Sequence, residues 1–252
     1  MKIKRVKALM RILKLRTLAP LLLCLFYFAA SAHAAATVFS STKSETGNLR
    51  VMLDPAHGGA DEGAHGVNSL KEKDVNLSLA LFLAAKLDEA GFEPRLTRDS
   101  DKEMTPEERA AAANRVQPAV FISIEVNGSE LREVRGLEIF FSAPPAEGAD
   151  PGFWRAGQAR AYEKSLRLAD SLEGSLRSLG LEYRGKTLIP SPLLGAVTSP
   201  AVLVTLGNIS WSQEADFLTE DAGKQALARA LVSAVKDFFT QKPKETEKKN
   251  AN

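Results

Sequence analysis

Two histidines, His57 and His65, stand in the glycine-rich stretch AHGGADEGAHG. A carboxylate, Glu72, follows at the start of a helical pattern, and another, Glu125, closes the apolar run VFISI. Imidazole nitrogen and carboxylate oxygen are donors for a catalytic zinc, which takes three protein ligands and keeps a fourth position open. The same groups serve as general acids and bases. Other chemistries are harder to draw from this chain. The glycine loop has neither the lysine of a P-loop nor the GxGxxG spacing of a dinucleotide site, so a tight turn is its plainer reading. No serine stands in a recognisable nucleophile elbow. The one cysteine, Cys24, lies in the N-terminal segment. Cysteine-ligated metal and thiol catalysis are therefore excluded for the rest of the chain.

The elements that must position these residues can be read from periodicity. LRVMLDP, Leu49 to Pro55, is a strand stopped by proline and followed by the glycine loop. From Lys73 to Ala90 the pattern is helical, with Val75, Leu79, Phe82, Leu83 and Leu87 on one side and Gly91 as the stop. FEPRLTR is a second strand, and Pro94 argues for an edge position. Arg98 and Asp99 follow it as a candidate ion pair. Thr105, Pro106 and Glu108 have the spacing of a capping box ahead of a helix. On that helix, Arg109 and Asn114 are placed to tie loops together. Val120 to Ile124 is a buried strand with Glu125 at its tip. GLEIFFS is a strand, Gln158 to Leu179 a long amphipathic helix, PAVLVTLGN a buried strand and Lys224 to Phe239 a closing helix. Strands alternating with helices predict one three-layer α/β domain, a mainly parallel central sheet flanked by helices. Strand tips are where open α/β sheets build their sites. His57, Glu72 and Glu125 could converge at one such edge. On spacing alone, Glu72 could equally be a helix-start residue favoured by the dipole, and Glu125 a rim carboxylate.

The N-terminus sets the compartment. MKIKRVKALMRILKLR is basic, Leu18 to Ala30 is apolar, and Ala32 and Ala34 offer an Ala-x-Ala cleavage site. That is the order of a secretory signal peptide, with an uncleaved anchor as the alternative. Residues 1–34 are read as the signal, 35–48 as a linker, 49–240 as the folded domain and 241–252 as a disordered polar tail. The whole chain has a net charge of +2, but residues 1–34 hold seven Lys/Arg and no acid. What remains has 26 basic against 31 acidic residues, a poor balance for binding nucleic acid. A mature protein without disulfides is permitted, because ~200 residues bury enough surface to fold unstapled. Phe153 and Trp154, in a proline-rich loop, could form a sugar- or partner-binding platform or anchor the loop to the body.

From about Arg50 to Phe239 the chain resembles the zinc-dependent N-acetylmuramoyl-L-alanine amidases, the type 3 family that cuts peptide stems from peptidoglycan. The resemblance runs in order through VMLDPAHGGADEGAHG, LKEKDVNLSLALFLAAKLDEAGFEPRLTRDSD, TPEERAAAAN, VFISIEVN, RGLEIFF and LLGAVTSPAVLVTLGNIS. It implies the amidase fold, a peptidoglycan partner, and His57 and Glu72 as zinc ligands. Two family positions depart. The family's strand tip reads Ser-Ile-His-x-Asn, its His a zinc ligand, where this chain has Glu125. The family's late strand reads Leu-Val-Glu-x-Gly, its Glu the acid/base, where this chain has Thr205.

Glu125 keeps a ligand atom, so the implied metal set is His57, Glu72 and Glu125. Two carboxylates leave the site less positive than one, so zinc is held more weakly and its water is acidified less. Threonine does not ionise usefully near neutral pH, and losing a positioned acid/base costs ~10²–10⁴ in rate. His65 is read as a surface or loop-packing residue. The expectation is an exported, periplasmic family member with zinc weak or absent and little or no turnover. It would bind peptidoglycan or an envelope protein, with no nucleic-acid partner and no membrane contact after signal cleavage. The alternative is an active zinc amidase with Glu125 as an unusual ligand.

Overall fold

The computed structural model describes residues 49–142 and 156–240, all within one compact unit, Thr46–Asn252. The signal, linker, Phe153–Trp154 platform and polar tail expected from the sequence lie outside the described residues.

Six strands form one sheet in the order β2-β1-β3-β6-β4-β5. They are β1 (Arg50–Pro55), β2 (Glu93–Leu96), β3 (Val120–Asn127), β4 (Leu137–Phe141), β5 (Tyr183–Leu188) and β6 (Ala201–Asn208). All neighbours pair in parallel except β4 and β6, which are antiparallel. The sheet is therefore mixed and mainly parallel. Among the described residues six α-helices accompany it: α1 (Glu72–Glu89), α2 (Pro106–Val116), α3 (Ala156–Leu176), α4 (Pro192–Ala196), α5 (Ser212–Thr219) and α6 (Asp221–Thr240). Among the described residues no helix is long and apolar enough to cross a membrane.

The central strands β1, β3 and β6 are covered on both faces, which is why they read as nearly continuous apolar runs. Side chains of a strand alternate between faces, and the two cores follow that alternation. Val51, Leu53, Ile122, Ile124, Val202 and Val204 join the core that includes residues of α1, α3 and α6. Met52, Phe121, Ala201 and Leu203 pack with Ala110, Ala113, Leu194 and Val197 of the α2 and α4 region. Continuing the second register toward the strand tips gives Asp54 on β1, Ser123 and Glu125 on β3, and Thr205 on β6. The fold thus delivers its polar residues to one face, just beyond the smaller core.

Strand β2 lies at the sheet edge, where Pro94 costs no ladder bond. Strand β5, at the other edge, was missed from the sequence. YRGKTL lacks apolar alternation because an edge strand can stay half exposed. The sequence reading assigns no element to the short helices α4 and α5. Helix α1 buries Val75, Leu79, Leu83 and Leu87; Gly91, at φ +90°, then turns the chain. Helix α2 carries the expected capping box. Thr105 Oγ1 accepts from the Glu108 N–H at 3.2 Å, and Glu108 Oε2 accepts from the Thr105 N–H at 2.9 Å. Thr105→Ala is expected to cost about 1 kcal/mol, measured as a lowered urea midpoint with an unchanged slope.

Candidate active site

Strand β1 ends at Pro55, and the Ala56 N–H still donates to Ile124 O of β3 at 3.1 Å. The chain then turns sharply. His57 has φ +60°, and Gly58, Gly59 and Gly63 also have positive φ. A side chain at Gly58 would strike the Lys102 carbonyl, and one at Gly63 would strike both Glu72 and His57 Cδ2. The glycines therefore let this loop lie directly on the residues it presents.

The turn aims His57 at α1. Its Nε2 lies 3.4 Å from Glu72 Oε2, and its Nδ1 lies 2.8 Å from Asp61 Oδ2. Glu72 is buried and accepts a hydrogen bond from the Ala64 N–H at 2.9 Å. The Glu72 carboxylate, with Asp61 assisting and burial opposing, raises the His57 pKa to about 9. Without a metal the ring is thus an imidazolium between two carboxylates at neutral pH.

Strand β3 runs on to Asn127, past the Ile124 end expected from the sequence, so Glu125 lies within it at the point where its pairing with β6 shifts register, and is half-buried. Loss of solvent pushes its carboxyl up to about 7, and the charges of Glu72 and Asp54 add to that while those of His57 and Arg109 oppose it. Its cross-strand neighbour on β6 is Thr205, which is buried, and Thr205 in turn pairs with Glu138 of β4. Glu125, Thr205 and Glu138 therefore form one row across three strands, with neighbours roughly 5 Å apart. The Glu138 carboxylate is taken by Arg184 and by the Thr187 hydroxyl.

Beneath the row, Asp54 is fully buried. It accepts from Arg109 Nη1 at 2.8 Å, Ser123 Oγ at 2.9 Å and Thr97 Oγ1 at 2.5 Å. Arg109 and Asn114 tie loops as expected: Arg109 reaches the carbonyls of Pro55, His57 and Met104, and Asn114 holds Ala196 O and the Thr198 N–H. The expected Arg98–Asp99 pair is corrected. Arg98 is buried and donates to the carbonyls of Pro55, Ala56, Lys73 and Ser100. The turn leaves those oxygens converging on one point, and a planar guanidinium satisfies several at once. His65 is largely exposed and pairs with Glu62 at 2.9 Å. Sequence reading missed Asp61, although its place four residues after His57 within the turn was a usable signal. It also missed Glu138, whose nearness to Thr205 depends on strand pairing alone.

A mixed sheet covered on both faces, with a histidine–carboxylate pair at its strand tips, defines an α/β domain with its candidate site at the strand ends. The chain belongs to the family described as N-acetylmuramoyl-L-alanine amidase, whose sequence profile matches residues 51–237. It is 35% identical over 193 residues to the YqiI protein of Bacillus subtilis, covering 76% of this chain and 85% of that one. It is 28% identical to the germination-specific N-acetylmuramoyl-L-alanine amidase of Bacillus subtilis over 206 residues, 76% of this chain and 80% of the relative. Among solved structures, the AmiC2 amidase of Nostoc punctiforme matches with a TM-score of 0.61 at 26% identity, over 77% of this chain and 98% of that one. The Ami1 amidase of Mycobacterium smegmatis shares the fold with a TM-score of 0.64, at 24% identity and over 77% and 98% of the two chains.

The family works with zinc, and the donors here can be judged against that ion. Among the described residues, no group of three or more His, Cys, Asp or Glu side chains is arranged to hold a metal. Both His57 nitrogens face carboxylates, and Glu72 Oε2 is shared with a backbone N–H. His57 and Glu72 are the pair that would hold the ion, with Asp61 orienting the ring through Nδ1; among the described residues Glu125 does not complete a three-donor set with them.

Proposed function

We propose that this chain is an exported, catalytically degenerate amidase-family protein that binds peptidoglycan without cutting it. The observation that carries the reading is the side-by-side placement of Glu125 and Thr205 on neighbouring strands. These are the two positions at which the family pattern has a histidine ligand and a glutamate acid/base. Thr205 cannot take a proton from water or give one to a leaving amine. The Glu138 carboxylate next to it is already engaged by Arg184 and Thr187. Zinc occupancy is low in this reading, because a site with two acidic ligands and one imidazole is poorer for zinc than one with two imidazoles. The basic and apolar N-terminus supports export to the periplasm.

The test is a pull-down on purified sacculi, with His57→Ala as the groove variant. The natural chain is expected to sediment with sacculi and the variant to be retained at least ~10-fold less, the equivalent of ~1.4 kcal/mol. Retention that ignores the variant overturns binding through the His57 site and places the peptidoglycan contact elsewhere on the chain; a natural chain that does not sediment points to an envelope protein as the partner. The contact between His57 and Glu72 favours a second reading, an active zinc amidase with Glu125 completing the ligand set. Stoichiometric zinc that survives mild chelation would favour it.

A further inference from the structure

We infer that Arg98 and Arg109 are positioning residues that hold His57 against Glu72. The proposal applies equally to a groove that cuts and to one that only binds. It starts from the backbone. His57 sits at φ +60°, a left-handed conformation that is unfavourable for a non-glycine residue and persists only where its surroundings enforce it. Two buried guanidiniums do the enforcing. Arg109 Nη2 donates to His57 O at 2.7 Å and its Nη1 to Pro55 O at 2.8 Å. Arg98 Nε donates to the same Pro55 O at 3.0 Å, and its Nη2 to Ala56 O at 2.9 Å. Three successive carbonyls of the turn are therefore fixed from one side.

Arg98 does something further. The Nη2 that holds Ala56 O also donates to Lys73 O at 2.9 Å. Lys73 follows Glu72 in the first turn of α1. One guanidinium thus joins the segment carrying His57 to the segment carrying Glu72. Burial disfavours the Arg98 charge, the nearby Arg109 adds to that, and Asp101, Asp54 and Asp74 oppose it; the acid directly bonded to the pair is Asp54, on Arg109. Burying two cations is costly for a purely structural purpose, since apolar side chains could fill the same volume. The planar five-donor fork of arginine is the feature the turn requires, and lysine cannot reproduce it.

The test is nuclear magnetic resonance on the full chain, with Arg98→Lys and Arg109→Lys as variants. A side chain on Gly63 would come within 2.9 Å of His57 Cδ2, so the His57 Hδ2 to Gly63 Hα cross-peak reports the ring's placement. His57→Ala assigns it. Well below the thermal midpoint, both variants are expected to lose this cross-peak. Folded variants that retain it overturn the proposal, because residues serving stability alone would lower the midpoint and leave the ring in place. Should neither variant fold, the natural chain decides. Guanidinium protons of Arg98 and Arg109 that exchange with water far more slowly than those of free arginine support the clamp. Exchange at the free rate overturns it.

Discussion

A Glu125→His, Thr205→Glu double variant is expected to release stem peptides from purified peptidoglycan, with zinc added, at least ~10²-fold faster than the natural chain. Either substitution alone is expected to recover far less. The reason lies in the row of side chains across β3, β6 and β4. Thr205 stands between Glu125 and Glu138 as the cross-strand partner of both. A carboxylate introduced at 205 alone would face an acid on each side, and like charges directly opposite are destabilising. It would also raise further a Glu125 pKa that burial already holds near 7. Glu125→His removes one of the two repulsions and restores an imidazole at the strand tip, which leaves room for a charged Glu at 205. The two departures are thus electrostatically coupled. In the single and double variants, urea unfolding should give a coupling energy of about 1–3 kcal/mol in favour of the double. A natural chain that releases stem peptides at ordinary enzyme rates would overturn the reading of a degenerate site. A silent double variant that folds and binds zinc would show that the groove has changed beyond these two positions.

How much of this was legible depends on the range of the physics involved. The apolar runs of β1, β3 and β6, the face of α1 and the Thr105 box are local patterns, and each was readable within its own segment. Strand β5 was not, because Arg184, Gly185 and Lys186 carry no alternation and the strand is defined by its pairing with β4. The site divides in the same way. His57, Glu72 and Glu125 stand out by residue type at one edge of the sheet, whereas Thr205 is singled out only through the resemblance of its segment to a family pattern. That Glu125 and Thr205 are direct neighbours depends on the register of two strands eighty residues apart. The arginines show a different limit. Arg98 next to Asp99 suggests a surface pair, but burial turns Arg98 inward, where backbone oxygens outcompete an exposed carboxylate. No spacing of side chains announces a residue whose partners are carbonyls.

The stability of the metal-free protein should fall as pH rises, in two windows set by the same site. Glu125 has a folded pKa of about 7 against an ordinary 4.5. Below pH 4.5 the carboxyl is protonated in both states and costs nothing. Between 4.5 and 7 the unfolded chain ionises while the folded one resists, so unfolding releases a proton and stability drops. Above 7 the loss is complete, at about 3 kcal/mol from the size of the shift. His57 adds a second window with the same sign. Its pKa of about 9 against 6.5 means that its ion pairs stabilise fully below 6.5 and are lost as pH rises through 9. Unfolding by urea in the presence of a chelator, at pH 4.5, 6.5 and 9.5, separates the two, because only Glu125 changes between 4.5 and 6.5 and chiefly His57 above. Glu125→Gln should remove the decline between pH 4.5 and 6.5, leaving the variant more stable than the natural chain at 6.5, and keep the decline above it. His57→Ala should flatten the upper window instead. If Glu125→Gln leaves the lower slope unchanged, Glu125 reaches water at the strand tip. A carboxylate free to ionise at ordinary pH could then serve as a metal ligand, and the active-amidase reading would regain its third donor.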